Sequence, residues 1–567
     1  MRALWVTLVF AAVLLAAGSS TFELVRVPVT MRDGVRLSAN VFLPAERARV
    51  PAILVRTPYG KGTSLVPNYR AFVDRGYAVI VEDVRGRYES EGGFEPLTQE
   101  PQDGDDTINW IVRQPWSNGK VGMIGGSYLG IAQWKAALLN NPHLKAIFPV
   151  VSGDDEYRDR FYSTGGALKL GHRLEWLAEN LKAPGYEPDF NKFIWHLPLR
   201  TADVAATGQS VPSFRQALAH PAYDSFWRSI STREHLDRIH IPVFAVGGWY
   251  DNYVESDLDA YAALHKTSGA NRILIGPWPH NMSYHFADAN FGPAASAPVR
   301  RLQLQWFDQW LMGKDAPLLS SPPVQVFVMG ANEWREEREW PPAEAKLQVL
   351  YLDGNGRANT LEGDGRLRNS LARAESEDTY TYNPADPVPT RGGAVCCNPN
   401  VFPWGPLDQR PVESREDVLV YTTRPLAQDL EVVGPVKAVL YVSSSARDTD
   451  FTAKVIDVFP DGNARILSDG ILRLRYRESL ERAVPAIPGE VYEISIDAGV
   501  VSNVFEKGHR IRLEVSSSNF PRFDRNPNTG GSIAEETRLL KARQTVYHGR
   551  EHPSHVELLV LSEAKHD

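Results

Sequence analysis

The chain has 567 residues, which is too long for one compact core, so we expect two or three domains. Hydrophobic residues make up 43% of the sequence and aromatic residues 10%, a composition typical of packed globular proteins and not of disordered ones. The net charge of -8 and the lack of a basic tract argue against nucleic acid as a partner.

Residues 1–20 have the features of a signal peptide. Arg2 supplies a positive charge, residues 3–17 are apolar, and small residues around Gly18 to Ser20 suit a cleavage site. The apolar stretch is shorter than the roughly 20 residues that span a bilayer. We therefore expect export to the periplasm or the extracellular space, with no stable membrane insertion after cleavage. An uncleaved N-terminal anchor and a buried helix are the alternatives.

Residues 21–151 alternate short apolar runs with helical segments. The apolar runs predict buried strands over residues 51–55, 78–82, 121–124 and 146–151. Helices are predicted between them, over about residues 69–75 and 105–113. Strands that alternate with helices indicate a parallel sheet covered on both faces, so this segment is the first part of an α/β domain.

The strand signal is lost over residues 152–238, where charged and aromatic residues alternate at helical spacing and predict a helical cap. Strand-like runs return at residues 242–247 and 272–276, and an amphipathic helix is expected over about 300–311. Residues 239–319 are therefore interpreted as the second part of the α/β domain.

Residues 320–567 show short alternating runs separated by turn residues. This pattern predicts an all-β domain, a sandwich or a jelly roll. The predicted strands include residues 324–329, 347–352, 436–442, 491–496 and 510–515.

The two cysteines of the chain, Cys396 and Cys397, are neighbours in this domain. The sequence favours two ordinary thiols over a disulfide, because a bond between neighbours requires strained geometry, and no further ligands indicate a zinc site.

The segment from Val121 to Gly130 joins an apolar strand to a helix through Ser127, which stands among glycines. This is the layout of a nucleophile elbow, in which a tight turn lifts the serine hydroxyl above the sheet. The strict G-x-S-x-G pattern has glycine where this chain has Leu129, and the glycine follows one place later. A strand-to-helix turn with a capping serine is the alternative.

Candidate acid and base residues follow in the order found on α/β-hydrolase sheets, which is serine, carboxylate, histidine. Asp251 ends the strand-like run after the cap, and His280 ends the next one. Catalytic groups gather at the carboxyl edge of an open parallel sheet, so we expect both beside Ser127. Asp251 could instead cap a helix, and Glu255 is the nearest rival carboxylate.

Two tyrosines are candidate donors to an oxyanion. The backbone N–H of Tyr128 follows the serine and is the expected first donor. Tyr59 lies in a turn between Pro58 and Gly60, where its hydroxyl could be the second donor. An ordinary turn tyrosine is the alternative.

Six motifs make the chain similar to the cocaine esterase-like (CocE/NonD) branch of the X-prolyl dipeptidyl peptidase and acyl hydrolase family. The motifs are Arg56-Thr-Pro-Tyr-Gly-Lys61, Asp83-Val-Arg-Gly-Arg87, Ser90-Glu-Gly92, Gly125-Gly-Ser-Tyr-Leu-Gly130, Gly247-Gly-Trp-Tyr-Asp251 and Gly276-Pro-Trp-Pro-His280. The resemblance implies an α/β-hydrolase sheet with a helical cap, followed by a jelly-roll domain of the galactose-binding-like type. It also implies catalytic roles for five residues.

The implied nucleophile is Ser127, with His280 as general base and then acid, and Asp251 as the carboxylate that orients it. The Tyr59 hydroxyl and the Tyr128 amide are the implied oxyanion hole. This mechanism requires no metal or organic cofactor. The resemblance also suggests that Asp83 belongs to an ion-paired turn beside the site.

The substrate class is open between esters, amides and X-Pro peptides. The α-amino-acid ester hydrolases of the family place carboxylates directly after the catalytic Asp, whereas this chain has Asn252 and Tyr253 there, with Glu255 nearby. We therefore expect a secreted serine hydrolase that cleaves a small ester or amide with an uncharged acyl group. Trp249 and Trp278 are candidate walls of the acyl pocket, although either is equally suited to the core.

Three alternatives to the esterase stay open. One is an X-Pro dipeptidyl-peptidase that acts on short peptides, and a less favoured one is an α-amino-acid ester or β-lactam acylase. The third is a binding protein without catalysis, whose jelly roll holds carbohydrate or another protein. We expect the jelly roll to pack over the mouth of the active site.

Overall fold

The computed structural model describes residues 13–14, 22–45, 49–267, 269–372 and 374–561. Apart from residues 13 and 14, the predicted signal peptide lies outside the described residues. Among the helices of the described part, none combines the length and the apolar character that crossing a membrane requires.

The first sheet has eleven strands in the part of the chain that is described. Along the chain they are β1 Val13–Leu14, β2 Phe22–Thr30, β3 Arg36–Pro44, β4 Val50–Thr57, β5 Ala78–Asp83, β6 Ser117–Gly126, β7 Leu144–Val150, β8 Phe244–Gly248, β9 Arg272–Gly276, β10 Val324–Val328 and β11 Glu333–Glu337. Their spatial order is β1-β2-β3-β5-β4-β6-β7-β8-β9-β10-β11.

The centre of this sheet is parallel and its edges are antiparallel. Strands β5, β4, β6, β7, β8, β9 and β10 pair in parallel. Every residue of β4 and β5 is buried, as expected for strands covered on both faces. The parallel order places the carboxyl ends of β6, β8 and β9 on one edge, where the candidate residues follow.

Helices cover this sheet and build the cap. These helices are α1 Pro67–Asp74, α2 Glu100–Val112, α3 Tyr128–Ala137, α4 Leu170–Asn180, α5 Phe190–Phe193, α6 Ala202–Thr207, α7 Pro212–Ala219, α8 Ser225–Ile230, α9 Val254–His265 and α10 Val299–Met312. A short helix, α11 Arg410–Glu413, lies in the C-terminal all-β part of the chain. Helix α2 begins earlier than predicted because Pro101 is accommodated in its first turn. Helix α10 ends as predicted, at Gly313, which adopts a left-handed φ of 70°.

The cap comprises a π-helical segment at Glu156–Phe161 and helices α4 to α8. Its buried aromatic and aliphatic side chains form one cluster with Tyr128 and Ile131 of the hydrolase domain and Phe520 of the C-terminal domain. The cap is therefore packed against both domains through a continuous apolar core.

The second sheet is built by the C-terminal part of the chain. Its strands are β12 Lys346–Asp353, β13 Arg366–Arg368, β14 Ser376–Tyr382, β15 Leu419–Thr422, β16 Leu430–Ser444, β17 Asp450–Val458, β18 Ala464–Arg473, β19 Tyr492–Phe505, β20 Arg510–Ser516, β21 Ala542–His548 and β22 His555–Leu561. Their order is β14-β21-β16-β22-β12-β13-β15-β20-β17-β18, and β19 pairs with β16. The predicted α/β-hydrolase sheet with a helical cap and a C-terminal all-β domain is confirmed.

One predicted strand belongs to a different sheet than expected. The alternating pattern places the run at residues 324–329 in the all-β domain, but β10 pairs in parallel with β9, and β11 pairs antiparallel with β10. The hydrolase sheet therefore extends past residue 320, and the second sheet begins at Lys346. An apolar alternating run specifies a strand, whereas its partner is decided by long-range packing.

Candidate active site

Ser127 stands at a sharp turn between β6 and α3. Its backbone adopts φ 56° and ψ −127°, a conformation that is costly for a residue with a side chain. A Cβ at Gly125 would collide with the Cβ of Leu129, and one at Gly130 would lie 2.5 Å from the Cβ of Ser152. Both glycines are thus required by close approach. The glycine that the turn requires after the serine is therefore Gly130. Position 129 can then carry a leucine side chain, although the strict G-x-S-x-G pattern has glycine there.

Asp251 and His280 follow the neighbouring strands β8 and β9 and contact each other. The His280 Nδ1 and Asp251 Oδ2 atoms are 2.6 Å apart, and the Asp251 carboxylate is fully buried. The other oxygen, Oδ1, accepts a hydrogen bond from the Tyr253 backbone N–H at 3.0 Å. The carboxylate therefore fixes the imidazole by its Nδ1, so Nε2 is the nitrogen suited to proton transfer. Glu255, the rival carboxylate, lines a different cavity beside Lys169.

The Tyr59 hydroxyl receives a hydrogen bond from the cap. The indole N–H of Trp176, on α4, donates to the Tyr59 oxygen at 3.2 Å. Burial raises the pKa of Tyr59, and hydrogen bonds from Trp176 and Ser127 oppose that increase only in part. The phenol therefore stays protonated, and since its oxygen already accepts from Trp176, its own O–H is suited to donate to a substrate oxygen.

The turn that carries Tyr59 is held by two neighbours. The Arg87 Nε donates to the carbonyl oxygen of Pro58 at 2.9 Å. The Lys61 backbone N–H donates to Asp83 Oδ1 at 2.6 Å, and its ammonium lies 3.3 Å from Asp83 Oδ2. The predicted ion-paired turn at Asp83 is present, and it positions the Tyr59 loop beside the serine.

Tyr128 is anchored by its own side chain. Its phenol donates to Glu100 Oε1 at 2.8 Å, and the Glu100 carboxylate also pairs with buried Arg56. The Tyr128 ring stacks on Trp176, with centroids 6.4 Å apart and planes 8° apart. These contacts fix the residue whose backbone N–H is the candidate oxyanion donor. Glu100 and Trp176 were not identified from the sequence, because the contacts that bring them to the site join distant parts of the chain.

A cavity of about 600 Å³ opens beside these groups, between the hydrolase domain and the cap. Ser127, Tyr59 and Tyr128 are among the residues that line it. The apolar wall comes mainly from cap side chains, among them Phe161, Trp176, Leu177, Phe214, Phe226 and Trp227. Such a concave, largely apolar space next to a nucleophile is suited to hold a small organic group.

The C-terminal domain contributes Cys397 to the wall of this cavity. The structure joins Cys396 and Cys397 in a disulfide, whereas the sequence favours two free thiols. The contribution of Cys397 agrees with the expectation that the all-β domain packs at the active site.

Trp249 and Trp278 do not line the cavity, which corrects the expectation that they form the acyl pocket. Each is only 1% exposed. The Trp249 indole N–H donates to the carbonyl oxygen of Phe327 at 2.7 Å, and that of Trp278 donates to Ala295 at 2.8 Å. Both belong to the core between β8, β9 and the following strands, and the pocket wall is supplied by the cap.

Two family models match the chain. Residues 33–282 match the X-Pro dipeptidyl-peptidase (S15 family), and residues 319–557 match the X-Pro dipeptidyl-peptidase C-terminal non-catalytic domain. The cocaine esterase of Rhodococcus sp. (strain MB1 Bresler) is 42% identical over 565 residues, which cover 94% of this chain and 98% of that relative.

Solved structures are similar over the same extent. An aminopeptidase from a marine sediment archaeon, Thaumarchaeota archaeon, has a TM-score of 0.83 and 30% identity, covering 95% of this chain and 97% of its own. An α-amino acid ester hydrolase has a TM-score of 0.82 and 28% identity, covering 94% and 96%. The chain therefore belongs to the family that contains the cocaine esterase-like (CocE/NonD) hydrolases and the X-Pro dipeptidyl-peptidases, and it is a serine hydrolase.

Proposed function

We propose that the protein is an esterase that cleaves a small carboxylic ester through an acyl-enzyme on Ser127. The observation that carries this proposal is the buried Asp251–His280 pair on the sheet edge that also bears the Ser127 turn. An imidazole held by a carboxylate is the base that a serine nucleophile needs.

In the proposed reaction, Ser127 Oγ attacks the ester carbonyl carbon while His280 Nε2 takes the hydroxyl proton. The negative charge on the carbonyl oxygen is stabilised by the Tyr59 O–H and the Tyr128 N–H. The C–O bond to the alcohol then breaks, and His280 returns its proton to the leaving alkoxide. A water molecule, deprotonated by His280, releases the acyl group as a carboxylic acid and regenerates Ser127.

The charges of the cavity favour an ester over an X-Pro peptide. A dipeptidyl-peptidase has to bind the free N-terminal ammonium of its substrate, and an α-amino-acid ester hydrolase has to bind an α-ammonium. Among the described residues that line the cavity, Glu95 is the acidic one, and it is exposed to solvent. The name of the relative at 42% identity, cocaine esterase, supports the same choice.

Initial rates on two substrates test the proposal. We expect wild type to hydrolyse a para-nitrophenyl alkanoate, Ser127→Ala to lack this activity, and neither protein to cleave a Gly-Pro anilide at a comparable rate. Faster Ser127-dependent cleavage of the anilide would move the assignment to a dipeptidyl-peptidase. Ester hydrolysis that persists in Ser127→Ala would exclude Ser127 as the nucleophile.

We also propose that residues 1–20 direct export and are removed. The charged, apolar and small-residue regions of this segment support the proposal. N-terminal sequencing of the protein secreted by an expression host should find a start near Thr21. A secreted or cell-bound protein that retains Met1 or Arg2 would contradict cleavage.

A further inference from the structure

Arg173 presents a buried guanidinium in the wall of the catalytic cavity. It lies on cap helix α4, and its residue is 7% exposed. Its Nε and Nη2 atoms both donate to the backbone oxygen of Arg160, at 3.3 and 3.1 Å. The guanidinium carbon lies 4.4 Å from the ring centroid of Phe161 and 5.7 Å from that of Trp176.

No carboxylate of the described chain compensates this charge. The ionisable groups that act on Arg173 are Tyr253, Arg160 and Tyr59, and burial lowers its pKa to about 10. The side chain therefore remains a cation at neutral pH, framed by aromatic rings and one carbonyl oxygen. The interaction with Tyr59 also places it in the electrostatic environment of the candidate oxyanion donor.

The neighbouring Arg160 shows how the fold compensates a buried guanidinium where the charge has a structural role. Its Nη1 lies 3.4 Å from Glu156 Oε1, and its Nη2 donates to the Ser152 carbonyl oxygen at 2.9 Å. Glu156, Asp159 and Asp155 all raise its pKa against the opposing effect of burial. Both arginines line the cavity. Of the two, Arg160 has carboxylates close to its guanidinium, whereas Arg173 has none among the described residues.

A buried, uncompensated cation is costly, and a methionine or leucine would fill the same space beside the aromatic rings at lower cost. The planar guanidinium is also the side chain best shaped to bind a carboxylate through two parallel hydrogen bonds. The position of Arg173 on the cavity wall indicates that its anionic partner comes from outside the chain.

The positions of the catalytic groups indicate which part of the substrate, the acyl group or the alcohol, lies near Arg173. The leaving alcohol has to lie next to His280, which protonates it. Among the described residues, Ser127, Tyr59 and Tyr128 line the cavity, whereas His280 does not. This lining favours the cavity for the acyl side of the scissile bond.

We propose that the cavity binds an acyl group that ends in a carboxylate, and that Arg173 pairs with this carboxylate. The substrates are then monoesters of dicarboxylic acids. This inference deepens the proposed esterase function and rests on it. It replaces the expectation, drawn from the sequence, of an uncharged acyl group. His172, which also lines the cavity, adds no competing charge, because burial holds its pKa well below the usual value.

Matched esters test the proposal. One set comprises para-nitrophenyl monoesters of glutarate, adipate, pimelate and suberate. The other comprises neutral isosteres in which an isopropyl group replaces the free carboxylate. For each pair, the ratio of kcat/KM for the anionic ester to that for the neutral ester is measured in wild type, Arg173→Met and Arg228→Met. Arg228 is the control, since it lies on the cap in an exposed ion pair with Glu481.

We expect Arg173→Met to lower the ratio by about 10- to 100-fold at the best chain length, the range of one lost charge-assisted contact. The neutral ester should lose much less activity than the anionic ester in Arg173→Met, and Arg228→Met should keep the wild-type ratio. Arg173→Lys should retain part of the preference because it keeps the charge. An unchanged ratio in Arg173→Met would overturn the proposal. So would an equal loss on both esters, which would show that Arg173 acts through Tyr59 or packing.

Calorimetric binding of the free dicarboxylates separates this inference from the proposed function. If no ester is hydrolysed in a Ser127-dependent manner, the esterase proposal fails, but binding still decides the role of Arg173. We expect adipate or a longer dicarboxylate to bind wild type about 10-fold more tightly than Arg173→Met. Circular dichroism verifies that both proteins are folded. Equal affinities of the two proteins for the dicarboxylate would then overturn the inference.

Discussion

The indole N–H of Trp176 donates to the phenol oxygen of Tyr59 at 3.2 Å, and so joins the cap to the candidate oxyanion hole. The two residues are far apart in the sequence and lie on different layers of the molecule. Because the phenol oxygen is engaged as an acceptor, the Tyr59 O–H is left to donate to another acceptor. The cap therefore orients the candidate oxyanion donor in addition to forming the wall of the cavity.

Trp176→Phe should lower kcat for a neutral ester by about 10-fold with little change in KM. The phenyl ring keeps most of the stacking on Tyr128 but loses the hydrogen bond that orients Tyr59. Trp195→Phe, on an exposed cap tryptophan, serves as the control. Wild-type kcat in Trp176→Phe would show that the hydrogen bond has no catalytic role.

Tyr59→Phe should reduce kcat by roughly 10²–10³, the scale of one lost oxyanion donor. Steady-state kinetics on the same ester provide the measurement, and an unchanged melting temperature would show that the fold is intact. A variant as active as wild type would mean that the Tyr59 hydroxyl does not stabilise the oxyanion.

Ser127→Ala and His280→Ala should each lower kcat by several orders of magnitude, and the double variant should lose little more than either single one. Residues that act as one catalytic unit show this lack of additivity. A fluorophosphonate probe should label wild type and leave Ser127→Ala unlabelled. Labelling of Ser127→Ala at the wild-type rate would place the nucleophile elsewhere.

Glu175→Gln should stabilise the protein at pH 8 but not at pH 4. Burial, together with the nearby Glu179 carboxylate, raises the pKa of Glu175 from 4.5 to about 7. Below about pH 4.5 the group is protonated in both the folded and the unfolded state. As the pH rises towards 7 it ionises first in the unfolded chain, so wild type loses stability over this range.

The glutamine variant should therefore have a free energy of unfolding about 1 kcal/mol higher than wild type at pH 8, measured by urea titration. The amide keeps an oxygen that can accept the hydrogen bond that Asn398 donates to Glu175 at 3.1 Å. Glu187→Gln, on an exposed cap glutamate, should show no such difference. Equal stabilisation at both pH values would contradict the pKa assignment.

Arg173→Met should leave the melting temperature unchanged or raise it, because it removes a buried charge that no described carboxylate compensates. Thermal unfolding of wild type, Arg173→Met and Arg228→Met measures the effect in the absence of ligand. A large loss of stability in Arg173→Met would indicate that its hydrogen bonds to the Arg160 carbonyl hold the cap together.

The chemistry at the strand ends is readable in the amino-acid sequence, because it depends on neighbours in the chain. Ser127 among glycines, Asp251 after one apolar run and His280 after the next predict the residues that the fold brings to one edge. Parallel strands deliver their carboxyl ends to the same place, so the order along the chain is enough. The strand at residues 324–329 is also recognisable, but its sheet is not, since strand pairing is a long-range property.

Local spacing and residue type are sufficient to specify the fold class, the family motifs and the candidate catalytic residues. Packing between distant segments determines which aromatic side chains line the candidate cavity, and it places Trp249 and Trp278 in the core and Trp176 beside Tyr59. Packing also leaves Arg173 without a carboxylate partner among the described residues. Whether a buried charge is compensated depends on groups that folding brings together from distant parts of the chain. The distances between such groups cannot be predicted from the local sequence pattern.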